Sequence, residues 1–210
     1  MRYRVIFTSL WLLAAACGSQ PVQKGEVFEG VICYRVTVLA DPGQTGVARK
    51  MGNRTVSYYR QGEYHDVYSG EELQHIWYKR NNVEYTQLKG IDTLLYASCA
   101  EEKRPFERME KKENDTTILG YTCNRLSLEY AGRKVTYWYA PELYIPGELF
   151  KDREFAFMNR YFAEANAAIL MRSHEGPLFS TLSVAVSVER KRLDDSVFVL
   201  PELPEKKWFE

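Results

Sequence analysis

The chain is poor in the residues on which most recognisable site chemistry depends. Its 210 residues include three histidines and four cysteines. There is no C-x-x-C pair and no His/Cys spacing of the zinc-binding kind. A G-x-S-x-G elbow is missing, and so is a glycine-rich phosphate loop, so neither an esterase-type nucleophile nor a nucleotide cradle is legible. Charge of one sign is not in excess: 28 Lys and Arg stand against 28 Asp and Glu. No basic field exists to hold nucleic acid. The longest apolar run, from Val5 onward, is about 12 residues, whereas a membrane-spanning helix needs roughly 20. No repeat of fixed period and no low-complexity linker is present.

What the sequence does have begins at its first residues. Arg2 and Arg4 precede the apolar run, and Ala14-Ala15-Ala16 follow it. This is the order of an export signal: a positive start, a short apolar stretch and small residues at the cleavage point. The stretch LLAAACGS resembles a bacterial lipoprotein signal, in which the cysteine becomes the lipid-bearing first residue. Residues 1–16 are thus expected to be a lipoprotein signal peptide, with Cys17 the lipidation site. Residues 17–25 (CGSQPVQKG) would form a flexible polar tether, and residues 26–210 a single antiparallel β domain. Loss of Arg2 and Arg4 leaves a net charge near −2. Gly18 stands where an aspartate would retain a lipoprotein at the inner membrane, and no acidic run follows Cys17. The expected location is the cell envelope, lipid-anchored, at the outer membrane and facing the periplasm.

Aromatic residues are abundant, with 15 Tyr, 10 Phe and 4 Trp, and they favour strands. Val27–Val38 alternates with period two: Phe28, Ile32, Tyr34, Val36 and Val38 share one face, while Val27, Val31, Cys33 and Thr37 share the other. Gln61-Gly62, Asn81-Asn82 and Ala131-Gly132 punctuate further alternating segments and predict hairpins. Glu101–Asp115 (EEKRPFERMEKKEND) reads as a charged, solvated connection. One helix is expected over about Asp152–Ala165, where Phe155, Met158, Phe162 and Ala165 form an apolar stripe. The count is about nine strands, nearly all joined by hairpins, and one helix. The expected fold is mainly β (α+β): a curved antiparallel sheet or half-barrel with the helix packed on its concave face.

The segment TTILGYTCNRL (Thr116–Leu126), followed by TYWYAPEL (Thr136–Leu143), resembles a family of secreted Gram-negative lipoproteins of unknown function related to the GLPGLI family. FEGVICYRV resembles that family's first strand, and VFVLPELPEKKW its closing element. The GLPGLI motif itself is replaced here by IPGELFKDR. Such proteins are similar to the lipoprotein carriers LolA and LolB, a curved sheet with helices plugging an apolar cavity. The resemblance implies binding of a lipid, an acylated protein or another amphiphile.

With Cys17 assigned to lipid, Cys33, Cys99 and Cys123 remain. An oxidising compartment allows them one bridge. Cys99–Cys123 is the expected pair, closing a 25-residue segment for about 3 kcal/mol, with Cys33 a buried thiol. His65 and His75 fall on adjacent hairpins, so a zinc site with Asp66 or Glu63 is conceivable, but surface or hydrogen-bonded histidines fit the pattern better. Ser173, His174 and Glu175 are adjacent on a strand and face alternate sides, which is unsuited to a triad. Asp194-Asp195 reads as a turn and Glu101-Glu102 as loop. Tyr58-Tyr59, Trp77-Tyr78 and Tyr137-Trp138-Tyr139 each split between the two faces of a sheet.

The sequence therefore predicts a tethered, non-enzymatic binding or carrier protein. It calls for no cofactor, metal or nucleic acid. The expected ligand is a lipid or other amphiphile held between sheet and helix. Trp138, Phe155, Met158 and Phe162 are the candidate cavity-lining residues, and a carrier requires several hundred cubic ångströms of space there. The alternative is an envelope protein-protein interaction or structural module with no small-molecule ligand, acting on an envelope protein partner.

Overall fold

Twelve strands, against the nine or so expected, form one large, open, curved sheet in the computed structural model, which describes residues 25–43 and 45–208. The signal peptide, Cys17 and nearly all of the tether lie outside the described residues. In chain order the strands are β1 (Gly30–Ala40), β2 (Arg54–Arg60), β3 (Glu63–Tyr68), β4 (Leu73–Lys79), β5 (Val83–Leu88) and β6 (Leu94–Ser98). Then come β7 (Phe106–Ile118), β8 (Tyr121–Tyr130), β9 (Arg133–Tyr144), β10 (Ala167–Glu175), β11 (Ser180–Arg190) and the short β12 (Glu205–Lys207). Across the sheet they run β12-β6-β5-β4-β3-β2-β1-β11-β10-β9-β8-β7. Two hairpin meanders thus flank a central β1–β11 pair. Every pairing is antiparallel except β12 with β6.

The turns follow their residues. Gln61-Gly62, Leu119-Gly120 and Ala131-Gly132 all have positive φ at both positions, the geometry of a two-residue turn that matches strand twist. The Leu119-Gly120 turn divides the ILGYTC block into two strands. It makes β7 from the segment expected to be a charged loop. β7 is almost wholly exposed and forms through its backbone bonds to β8, so no apolar alternation announces it. Its charges and the register break between Lys112 and Thr116 also blunt an open sheet edge against unwanted pairing.

Helix is sparse. α1 (Val47–Met51) is a single turn, and the loop before it is closed by Asp41, whose carboxylate accepts from the amides of Thr45 and Gly46 at 2.7 and 2.9 Å. α1 lies so close to the β3–β4 turn that a Cβ on Gly70 would sit 2.0 Å from the Lys50 carbonyl oxygen. α2 (Met158–Ala165) is shorter than the expected helix, because Ala156 and Phe157 take positive φ and break it from the 3-10 turn at Phe155–Phe157. Met158, Phe162 and Ala165 stay on the buried stripe, while Phe155, before the break, is 42% exposed.

Cross-strand register defines the sheet's inner face, the one that α2 covers. Tyr68, Thr55, Tyr34 and Ala185 form one row, and Ile76, Asp66, Ser57 and Ile32 another. Ser183, Arg172, Tyr137 and Leu126 form a third. The core lies on this face, where Tyr137 and Tyr139 pack on Tyr161 of α2, and Phe150 stacks on Phe162 at 3.8 Å between centroids. The outer face is closed mainly by residues after β11, where Leu193 and Phe198 pack on Val31.

The expected Cys99–Cys123 bridge is not formed. Cys33, Cys99 and Cys123 are all free thiols, with none at disulfide distance among the described residues. Cys99 follows β6 near one edge of the sheet, while Cys123 lies in β8 near the other. Proximity along the chain suggested the pairing, whereas the strand order sets the two far apart in the sheet. Cys33 is half-buried rather than buried, with the Arg54 guanidinium 3.8 Å from its sulfur.

Candidate functional site

The inner face has two halves of different chemistry. Under the plug formed by residues 147–165, Phe150, Phe157, Met158, Tyr161 and Phe162 are buried against Leu126, Leu128, Tyr137 and Tyr139. The four expected lining residues do not converge there on one cavity. Met158 and Phe162 are core, with the Tyr137 hydroxyl 3.5 Å from the Met158 sulfur. Phe155 is exposed at the plug's rim, 5.4 Å from the Arg104 guanidinium. Trp138 is on the outer face, where Nε1 donates to Asp115 at 2.8 Å. Its neighbours Tyr137 and Tyr139 take the inward positions, as strand alternation requires.

Beyond the plug the same face turns polar and forms a cleft, with about 40 Å³ of internal space. Its floor is Thr55, Ser57 and Tyr59 of β2, and its walls are Asp66 and Tyr68 of β3 and Arg172 of β10. The curvature of the sheet brings Asp66 and Arg172 to one opening, although β2, β1 and β11 lie between their strands. They make no ion pair with each other. The Asp66 Oδ1 is buried without a hydrogen-bond partner, while its Oδ2 receives a long 3.5 Å bond from the Tyr68 hydroxyl and the carboxylate feels the neighbouring Ser57 hydroxyl. Arg172 feels Asp66 and the surrounding phenols of Tyr68 and Tyr137 through space.

Burial governs the cleft's electrostatics. It pushes the Asp66 carboxyl up to about 6, opposed by the Ser57 hydroxyl and the Arg172 charge. It also raises the Tyr59 phenol to about 12 and those of Tyr34 and Tyr68 further. The tyrosines therefore act as neutral donors and rings. The Tyr34 hydroxyl is already committed, donating to the Ile169 carbonyl at 2.6 Å. From sequence, Asp66 entered only as a conceivable partner of His65 and His75 at a zinc site, and Tyr68 and Arg172 were not singled out. The signal was nonetheless present: Thr55, Ser57 and Asp66 are polar at period-two positions that should face a core.

His65 and His75 do meet, on the outer face, with Nε2 of one 2.9 Å from Nδ1 of the other. They belong to a stack in which His65 lies 5.7 Å from Tyr58 and 4.6 Å from Trp77. Burial lowers the pKa of both, His65 to about 4, so the pair is neutral and one ring donates to the other. Asp66 is on the opposite face. Glu63 is bound by Lys79 at 2.8 Å. Among the described residues no three His, Cys, Asp or Glu side chains converge as metal ligands. Ser173 is buried, and the neighbouring His174 stacks on Phe179.

No protein-family model matches the chain, and no curated protein matches it. Among solved structures it is similar to PNGF-II in two crystal forms. The P21 form gives a TM-score of 0.51 at 15% identity, over 86% of this chain and 32% of that one. The C2 form gives 0.50 at 15% identity, over 87% and 31%. The chain thus spans about a third of the length of the structures it matches. At this identity the likeness is one of fold.

Proposed function

We propose that this protein is a membrane-tethered, non-enzymatic binding module of the cell envelope, and that its ligand seats a polar end in the inner-face cleft. The observation that carries the reading is a pair of half-buried, opposite charges, Asp66 and Arg172, that line one opening without an ion pair between them, the Asp66 Oδ1 being left unbonded. Charges removed from water are costly unless paired, and a fold that places two of them at one opening is suited to a ligand that completes them. The lipoprotein-type signal ending at Cys17 supports the envelope location, and the plugged, curved sheet supports the likeness to the LolA/LolB carriers.

The reading moves the site away from the plug. Carriage of an acyl chain needs several hundred cubic ångströms, and the plug residues are packed into the core. The cleft's 40 Å³ suits a head group, with any apolar part of an amphiphile lying outside. A protein partner that adds a strand to the sheet is less well supported, because the open edge β7 is charged and irregular.

Native mass spectrometry of protein purified from its host's envelope tests the reading. A stoichiometric small molecule retained by the wild type and lost from Asp66→Asn and Arg172→Met is the expected result. Bare wild-type protein, or a ligand that both variants retain, overturns it.

A further inference from the structure

We propose that the cleft recognises a zwitterion, with Asp66 holding its cationic end and Arg172 its anionic end; this rests on the cleft being the binding site. A simple cation drawn to Asp66 would meet the uncompensated charge of Arg172 in the same opening, and a simple anion would meet Asp66. A group carrying both signs is compensated at each end and leaves neither side chain unpaired. Tyr68 and Tyr59 line the same cleft, near both charges, and add aromatic surface, which attracts an ammonium. With Tyr34 committed to the Ile169 carbonyl, the Tyr68 hydroxyl, held only by its long 3.5 Å bond to Asp66, is the phenol that can turn to a ligand.

Size narrows the ligand further. A water needs roughly 10–15 Å³ of such space, so 40 Å³ takes the equivalent of about three waters. An ammonium joined to a carboxylate or phosphate by a short linker is of that order, with the rest of the molecule outside. Asp66 and Arg172 feel each other's charge but form no ion pair, standing on β3 and β10 with three strands between them. The sheet's curvature brings them to one opening without contact. Two sources offer this chemistry: a free amino acid or amino-phosphate, and the head group of a zwitterionic lipid.

Calorimetric titration of the full chain separates these possibilities, with Cys17→Ser keeping an N-terminal lipid out of the vesicle readings. The probes are glycine and O-phosphoethanolamine, with ethanolamine and inorganic phosphate as single-charge controls. Phosphatidylethanolamine vesicles are compared with phosphatidylglycerol vesicles. At least one zwitterionic probe should bind tenfold or more tightly than every single-charge probe. Asp66→Asn and Arg172→Met should each abolish the preference while leaving the circular dichroism spectrum unchanged. Preference for the soluble probe assigns a free solute, and binding only to phosphatidylethanolamine vesicles assigns a lipid head group. Equal binding of a single-charge control, or no zwitterion binding in any form, overturns the proposal. A co-purified ligand of one charge, lost in both variants, would leave the cleft as the site and remove only the zwitterion. Zwitterion binding that both variants retain would remove both.

Discussion

Arg153 and Glu84 form a buried ion pair, 3.0 Å between Nη2 and Oε2, that fastens the plug to the sheet. The Arg153 side chain is only 7% exposed, and its guanidinium lies 4.8 and 4.5 Å from the ring centroids of Tyr64 and Tyr78. It also bonds the Tyr64 hydroxyl, which itself donates to Glu84 at 2.9 Å. Removing one partner strands the other's charge. Arg153→Met should therefore cost about 2–4 kcal/mol in urea denaturation, toward the lower side of the buried-pair range because Glu84 is partly wet. Arg153→Met with Glu84→Gln should recover much of that. A loss under about 1 kcal/mol for the single variant would show that the pair is a surface-type bridge.

Asp66 should make the fold less stable at neutral pH. Its carboxyl is raised from 3.8 to about 6 by burial. Below pH 3.8 it is protonated in both folded and unfolded chains and contributes nothing. As pH rises toward 6 the unfolded chain ionises first and is favoured, and above 6 the penalty is complete. Asp66→Asn should raise the melting temperature at pH 7, by at most about 3 kcal/mol of stability, with no gain below pH 3.8. A variant less stable than wild type at pH 7 would contradict this. If the variant also loses ligand binding, stability has been given up for function at this position.

How far the sequence discloses this molecule depends on whether a feature is local. The inward set Ile32, Tyr34 and Val36 follows from alternation within β1, and Gln61-Gly62 and Ala131-Gly132 from turn chemistry. The curved, mainly β character follows from many such segments. β7 escapes notice because its residues are exposed on both faces, so its pairing with β8 leaves no periodic trace. Phe155 leaves the helical stripe because Ala156 and Phe157 adopt left-handed backbone, which helical spacing does not reveal. The cleft is the hardest case. Thr55, Ser57 and Asp66 mark a polar inner surface, but Arg172 is about a hundred residues further on. It joins them only through the β1–β11 pairing, a non-local contact with no signature in either segment.

His65 should make the acid limb of stability steeper. Burial and the neighbouring His75 depress it from 6.5 to about 4. The folded chain thus refuses a proton that the unfolded chain accepts. The resulting stability is fully present above pH 6.5 and is lost as pH falls toward 4. Asp66 acts in the opposite sense over an overlapping range, so the measurement belongs in the Asp66→Asn background. There, His65→Phe retains a ring between Tyr58 and Trp77. It should flatten the fall in stability between pH 6.5 and 4, while losing about 1 kcal/mol at pH 7 with the bond to His75. An unchanged acid limb would mean that His65 titrates normally.

The three domain cysteines should differ in reactivity, and no reductant should affect the fold. Burial pushes the Cys99 and Cys123 thiols up to about 11, so at pH 8 roughly one molecule in a thousand carries the thiolate that reacts with an alkylating agent. Cys33 is half-buried. Iodoacetamide applied to the native protein should label Cys33 first, with Cys99 and Cys123 following only after denaturation, as peptide mass mapping would show. Because the two buried thiols sit near opposite edges of the sheet, dithiothreitol should leave the melting temperature unchanged. A fall in melting temperature on reduction, or a Cys99–Cys123 linked peptide in a non-reduced digest, would contradict the free thiols placed here at Cys99 and Cys123.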